Sequence, residues 1–187
     1  MRLPVVTQLP SPSHWVNRLP APRPIYFLLG VLLAIAAALP SGAATRLKGR
    51  PAPDFALKSL TGENIRLSEF RGQVVMINFW ASWSGPSRLE MPRLEKISAT
   101  YRSNGFVLLG VNMDDTEASA SNFAQAYGIT YPLLLDARKE VVRRYEVEIV
   151  PVTVLVDRGG SVRYVHKDYR VGAEQTYVAE IRALLKE

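Results

Sequence analysis

Two serines three residues apart, Ser84 and Ser87, stand in the stretch FWASWSGPS, where an apolar run gives way to Trp-Ser-Gly-Pro-Ser. The run reads as a strand and the Ser-Gly-Pro-Ser segment as a helix start. Both hydroxyls then fall on the first turn of a helix, Ser84 at its exposed lip and Ser87 one turn inside. Pro86 suits that first turn, where its missing N–H costs nothing. The unpaired N–H groups and the positive end of the helix dipole stabilise an anion there by ~0.3–1 kcal/mol at an exposed site. A thiol of pKa ~8.5 is brought into the physiological range by such a setting. A hydroxyl titrates far too high to respond, and it forms no disulfide. The literal role of Ser84 is therefore a helix N-cap, which serine fills well. Hydrolysis by a serine needs a base and an orienting acid. The chain holds two histidines, His14 and His166, and nothing in the sequence brings either to Ser84.

The elements that must position this pair can be read from periodicity. Residues 74–80 (VVMINFW) form a nearly continuous apolar, β-rich run, the pattern of a central strand covered on both faces. Residues 84–101 follow as a helix, with Leu94, Ile97 and Tyr101 on one side, Gly105 just past its end, and Pro92 inside, where it should kink the axis. Glu90 reads from this pattern as an exposed acid favoured by the dipole. Residues 106–112 (FVLLGVN) are a second buried strand. Residues 117–127 are a helix with Ala120, Phe123, Ala124 and Tyr127 at helical spacing, stopped by Gly128. A short strand at 133–136 and a short helix at 138–145 come next. Residues 152–157 and 162–166 are two strands joined by the turn signal DRGG. The last helix, 173–185, turns Val178, Ile181, Leu184 and Leu185 inward. Nearer the N-terminus, 46–54 reads as a linker interrupted by Pro51 and Pro53, and 54–67 as a short hairpin around Gly62. Strands alternating with helices, closed by a hairpin and a helix, predict an α/β fold with a central mixed sheet and helices on both faces.

The 187 residues suffice for one domain with a sizeable core. The net charge of +6 is inflated by Arg2, Arg18 and Arg23; without them 20 basic residues face 17 acidic ones, an ordinary solubility charge and not a nucleic-acid footprint. The cysteine count of zero excludes disulfides, thiolate metal sites and thiol nucleophiles in this chain. Residues 1–24 are basic and Pro-rich, and residues 25–39 are an apolar run of 15 followed by Pro40 and SGAA. Residues 1–44 thus describe a secretory signal or an N-terminal membrane anchor, the run being short of the ~20 residues of a usual span. Residues 45–187 form the body, expected in the periplasm or at the outer face of the cytoplasmic membrane.

With cysteines at 84 and 87 the stretch would read FWASWCGPCRLEMP, and it resembles the active site of the thioredoxin-like TlpA/ResA family of envelope thiol-disulfide oxidoreductases. Residues 49–73 resemble that family's opening segment, shared with the redoxin (AhpC/TSA-like) domains, and residues 157–172 its closing hairpin. The Trp-x-Gly-Pro-x pattern differs from the Thr-x-x-Cys of peroxiredoxins. The resemblance implies a thioredoxin-like fold, with Ser84 at the attacking-cysteine position and Ser87 at the resolving one. Glu90 matches an acid placed for proton transfer. Pro151 would be a cis-proline whose neighbour Val150 docks the substrate chain, and a cis X–Pro bond costs only ~0.5–1 kcal/mol. Trp80 and Trp83 would line the floor and rim, with Gly85 and Pro86 beside the substrate. Asp114 and Asp115 read as a capped loop, Asp157 as turn chemistry, His166 as a partly exposed strand residue.

Two readings of different class stay open. In one, the chain is a disulfide reductase or isomerase of envelope proteins, fed by a membrane thiol donor, with its cysteines replaced and its activity gone. In the other it is a redox-silent module that binds extended segments of envelope proteins around Trp83 and Pro151. Neither implies a cofactor or a nucleic acid, and the membrane enters only through the N-terminal segment.

Overall fold

The strand at Val74–Trp80 (β3) is buried at every position, because apolar side chains on both of its faces each find a separate core. Its neighbours are β4 (Phe106–Asn112) on one side and β6 (Val152–Val156) on the other, within a five-stranded sheet completed by β5 (Leu133–Leu135) and β7 (Val162–Lys167) in the order β5-β4-β3-β6-β7. In this computed structural model, which describes residues 44–187, β3, β4 and β5 are parallel and β6 and β7 antiparallel additions. The register sets Trp80 opposite Asn112 and Phe79 opposite Val152.

Alternation along β3 divides the core. Val75, Ile77 and Phe79 face Val141, Val142 and Tyr145 around the short helix α3 (Glu140–Arg144), together with Phe55 and the hairpin of β1 (Ala56–Lys58) and β2 (Asn64–Arg66). Val74, Met76 and Trp80 face α1 (Gly85–Tyr101), α2 (Glu117–Tyr127) and α4 (Ala173–Lys186) through Met91, Leu94, Phe123, Tyr177 and Ile181. Asn78 has the parity of Met76 and Trp80, so its amide enters the second, helical layer.

The predicted strands at 74–80 and 106–112 and the helix at 117–127 stand where expected. Gly128 ends α2 in the left-handed region at φ 64°, a conformation glycine reaches without strain. Several expectations are corrected. Residues 46–54 are not a free linker: Gly49 and Arg50 hydrogen-bond Val162, and Ala52 N–H bonds the Gly160 carbonyl, so the segment lies along the β6–β7 turn. The short helix covers only Glu140–Arg144, since Lys139 takes φ 56° and breaks it from Arg138. On α4 the buried stripe is Tyr177, Ile181 and Leu184, with Val178 and Leu185 half-covered at its edges. On α2, Tyr127 is exposed and stacks on Phe123 from outside, ring centroids 4.4 Å apart. Pro92 lies inside α1, as expected, and leaves the carbonyl of exposed Arg88 without its helical donor. The apolar run at 25–39 lies outside the described residues. Among the described residues no helix is long and apolar enough to cross a membrane.

Candidate functional site at the start of α1

Ser84 is the N-cap of α1, in extended backbone (φ −80°, ψ 115°) with its hydroxyl accepting from the Ser87 N–H at 3.3 Å. The same hydroxyl donates to the Val150 carbonyl at 3.1 Å. The expected cap is therefore present, but Ser84 is not at an exposed lip. It is 5 % exposed, because the loop before β6 crosses over it. The Val150–Pro151 bond in that loop is cis, as the resemblance implied, and the fold brings it against Ser84 across 66 residues of chain. Ser87 is wholly buried, and its hydroxyl has no hydrogen-bond partner among the described residues. Gly85 and Pro86 are exposed on the outer side of the turn.

Glu90 is the largest departure from expectation. It is not an exposed dipole-facing acid but 1 % exposed, because it shares the inward stripe of α1 with Ser87, Met91 and Leu94. Its Oε2 accepts from Asn78 Nδ2 at 2.8 Å, and its Oε1 accepts from Thr153 Oγ1 at 3.0 Å and from the Tyr177 hydroxyl at 2.9 Å. Asn78 Nδ2 also donates to Thr153 Oγ1 at 2.9 Å. Burial pushes the Glu90 carboxyl up to about 7; the three donors oppose the shift and the Asp168 charge adds to it. Tyr177 is raised by burial and by the Glu90 charge. A carboxyl titrating near neutrality beneath the Ser84–Ser87 turn is placed to hold or release a proton.

Asn78, Thr153 and Tyr177 were not singled out from the sequence. Their signals exist: one amide and one hydroxyl inside otherwise apolar strands, and a tyrosine on the inward stripe of α4. Trp80 is wholly buried and packs on Phe123 at 5.0 Å, so it is core beneath the site. Trp83 is 65 % exposed and Ile149 75 %, one beside Ser84 and the other beside Val150. Asp168 N–H donates to the Pro151 carbonyl at 3.0 Å, which fixes the chain after β7 against the cis-proline loop. His166 pairs with Glu180 at 2.7 Å, and the Ser84 hydroxyl gives its proton to a carbonyl, so no base activates it among the described residues. Asp114 and Asp157 accept loop N–H groups, as capped turns do; among the described residues no group of three or more metal-ligating side chains forms.

The AhpC/TSA family matches this sequence over residues 48–165. The thiol-disulfide oxidoreductase ResA of Geobacillus kaustophilus is 37 % identical over 117 residues, 63 % of this chain and 67 % of that protein. ResA of Bacillus subtilis is 30 % identical over 148 residues, 75 % of this chain and 83 % of the relative. The chain belongs to the ResA-like thiol-disulfide oxidoreductase family. A Chlorobium tepidum structure described as a thiol:disulfide interchange protein DsbE superposes with a TM-score of 0.71 at 35 % identity, covering 74 % of this chain and 97 % of that one. The thioredoxin-like fold and the ResA/DsbE kinship are thus common to sequence and structure. Within this ResA-like family the present chain is a homologue without cysteine.

Proposed function

We propose that this ResA-like protein works in the cell envelope, where it docks extended segments of envelope proteins over Trp83, Val150 and Pro151 without exchanging disulfides. The observation that carries the reading is the Ser84–Ser87 turn seated against the cis Val150–Pro151 bond, above a carboxyl titrating near neutrality. This is a site arranged for a dithiol and holding two hydroxyls, which form no disulfide and accept no electrons. Gly85 and Pro86, open to solvent, and the exposed indole of Trp83 leave a surface that an extended chain can approach. Export rests on the sequence of residues 1–44. A cysteine-bearing form would reduce or isomerise client disulfides and be re-reduced by a membrane thiol donor.

The test compares the full chain with its Ser84→Cys/Ser87→Cys variant in the reduction of insulin by dithiothreitol. The serine form is expected at the uncatalysed rate and the double variant well above it. A folded double variant that stays at background sinks the view that the scaffold is a complete dithiol site.

A further inference from the structure

The three residues 81–83 that carry the chain from β3 into α1 hold the exposed Trp83, and the backbone of the central one, Ser82, is held at both its N–H and its carbonyl. The Ser82 N–H donates to both carboxylate oxygens of Asp114, at 3.1 and 3.2 Å. The Ser82 carbonyl accepts from Arg88 Nε of α1 at 2.7 Å. We propose that Asp114 and Arg88 are positioning residues that clamp the two peptide groups flanking the Ser82 Cα and so set the direction in which Trp83 is presented.

Asp114 is prepared for this task before it meets Ser82. It lies two residues past β4 and is 5 % exposed. Asn112 Nδ2 donates to its Oδ2 at 3.0 Å, while its own N–H donates to Asn112 Oδ1 at 3.0 Å. Asn112 is itself fixed as the register partner of Trp80, and Met113 N–H bonds the Trp80 carbonyl at 3.0 Å. Lys139 Nζ donates to the carbonyls of Met113 and Asp114 and pairs with Asp115 at 3.2 Å. The carboxylate therefore stands on a rigid base at the ends of β3 and β4. A buried carboxylate is retained only where its lone pairs are satisfied, and the peptide it satisfies here belongs to the Trp83 loop. Arg88 is exposed and contributes little to the core, yet its guanidinium holds the next peptide group, Ser82–Trp83, through the Ser82 carbonyl. Held at its N–H and its carbonyl, the Ser82 backbone limits the swing of the next residue, whose indole is 65 % exposed.

The consequence for binding rests on the docking function proposed above, so the experiment separates the two. In the full chain, hydrogen exchange of the Ser82 amide and the 19F line of 5-fluorotryptophan at Trp83, assigned by its loss in Trp83→Phe, report the clamp directly. Capture of reduced, carboxymethylated α-lactalbumin reports docking. Asp114→Ala and Arg88→Ala are each expected to speed Ser82 exchange about tenfold, to shift and broaden or narrow the Trp83 line, and to weaken capture. Asp114→Asn, which keeps one acceptor, is expected to fall between. Arg88→Ala removes an exposed side chain and keeps the test open should Asp114→Ala fail to fold. Unchanged Ser82 exchange and an unchanged Trp83 line in Arg88→Ala and Asp114→Asn overturn the clamp, whatever capture does. If Trp83→Ala captures as well as the unaltered chain, the docking reading fails, and exchange and the Trp83 line still decide the clamp by themselves.

Discussion

Ser84 and Ser87 look alike in sequence and differ in environment. Ser84 uses its oxygen twice, as acceptor from Ser87 N–H and donor to the Val150 carbonyl. The Ser87 hydroxyl is enclosed and unpartnered among the described residues. An unsatisfied buried hydroxyl costs about 1–3 kcal/mol, whereas a thiol is only a weak donor and asks for less. The pocket at 87 thus suits sulfur or a methyl better than oxygen. Ser87→Ala is expected to raise stability by about 1 kcal/mol, read as a higher urea midpoint at unchanged slope. A lower midpoint would show that the hydroxyl is satisfied in solution. The cap at Ser84 was legible, since a serine followed by Gly-Pro at a strand–helix junction has few other uses. The solitude of Ser87 was not, because it depends on what the surrounding helix and strands fail to offer.

At the level of elements, β4 carries a glycine in mid-strand for a steric reason. A Cβ at Gly110 would lie 2.5 Å from Leu133 Cδ2, 3.1 Å from Tyr131 Cε2 and 3.2 Å from Trp80 Nε1. Gly110 pairs with Leu133 in the parallel register of β4 and β5, so the missing side chain lets the edge strand and the Trp80 indole close over it. Gly110→Ala is expected to destabilise by about 1–3 kcal/mol through overpacking, measured by thermal or denaturant unfolding, with Trp80 fluorescence altered as well. An unaffected midpoint would mean that Leu133 repacks freely. Strand and helix bounds were readable here because periods of 2 and 3.6 are written along the chain. The same stripe that placed Leu94 and Ile97 inward, extended one turn toward the N-terminus, reaches Glu90; the charge of that residue argued the other way and the periodicity prevailed.

On the scale of the molecule, the polar cluster of Asn78, Glu90, Thr153 and Tyr177 joins β3, α1, β6 and α4 inside the helical layer. Its titration is coupled to global stability. Glu90 is raised from 4.5 to about 7 in the fold, so the folded state holds this proton more tightly than the unfolded chain. The favourable contribution is complete below about pH 4.5 and is lost as pH rises through about 7. A shift of this size corresponds to about 3 kcal/mol. Glu90→Gln removes the titrating group, so the stability gap between the two proteins should move in favour of glutamine between pH 4.5 and 8. Urea unfolding at a series of pH values checks this. A gap independent of pH would place the Glu90 carboxyl at its ordinary value.

By itself the sequence determined the order and type of the elements, the helix cap at Ser84, the kinship carried by Trp-x-Gly-Pro-x and the absence of any thiol, because these depend on residue types and their spacing along the chain. Only the tertiary structure decided that Glu90 is buried, that Ser84 lies under Val150, and that Asp114 grips the loop of Trp83. Those contacts join residues 32–87 positions apart. They exist because the sheet register sets Trp80 beside Asn112 and Asn78 beside Thr153. A register is a property of two strands and the core that both must fill, and no single stretch of the chain states it.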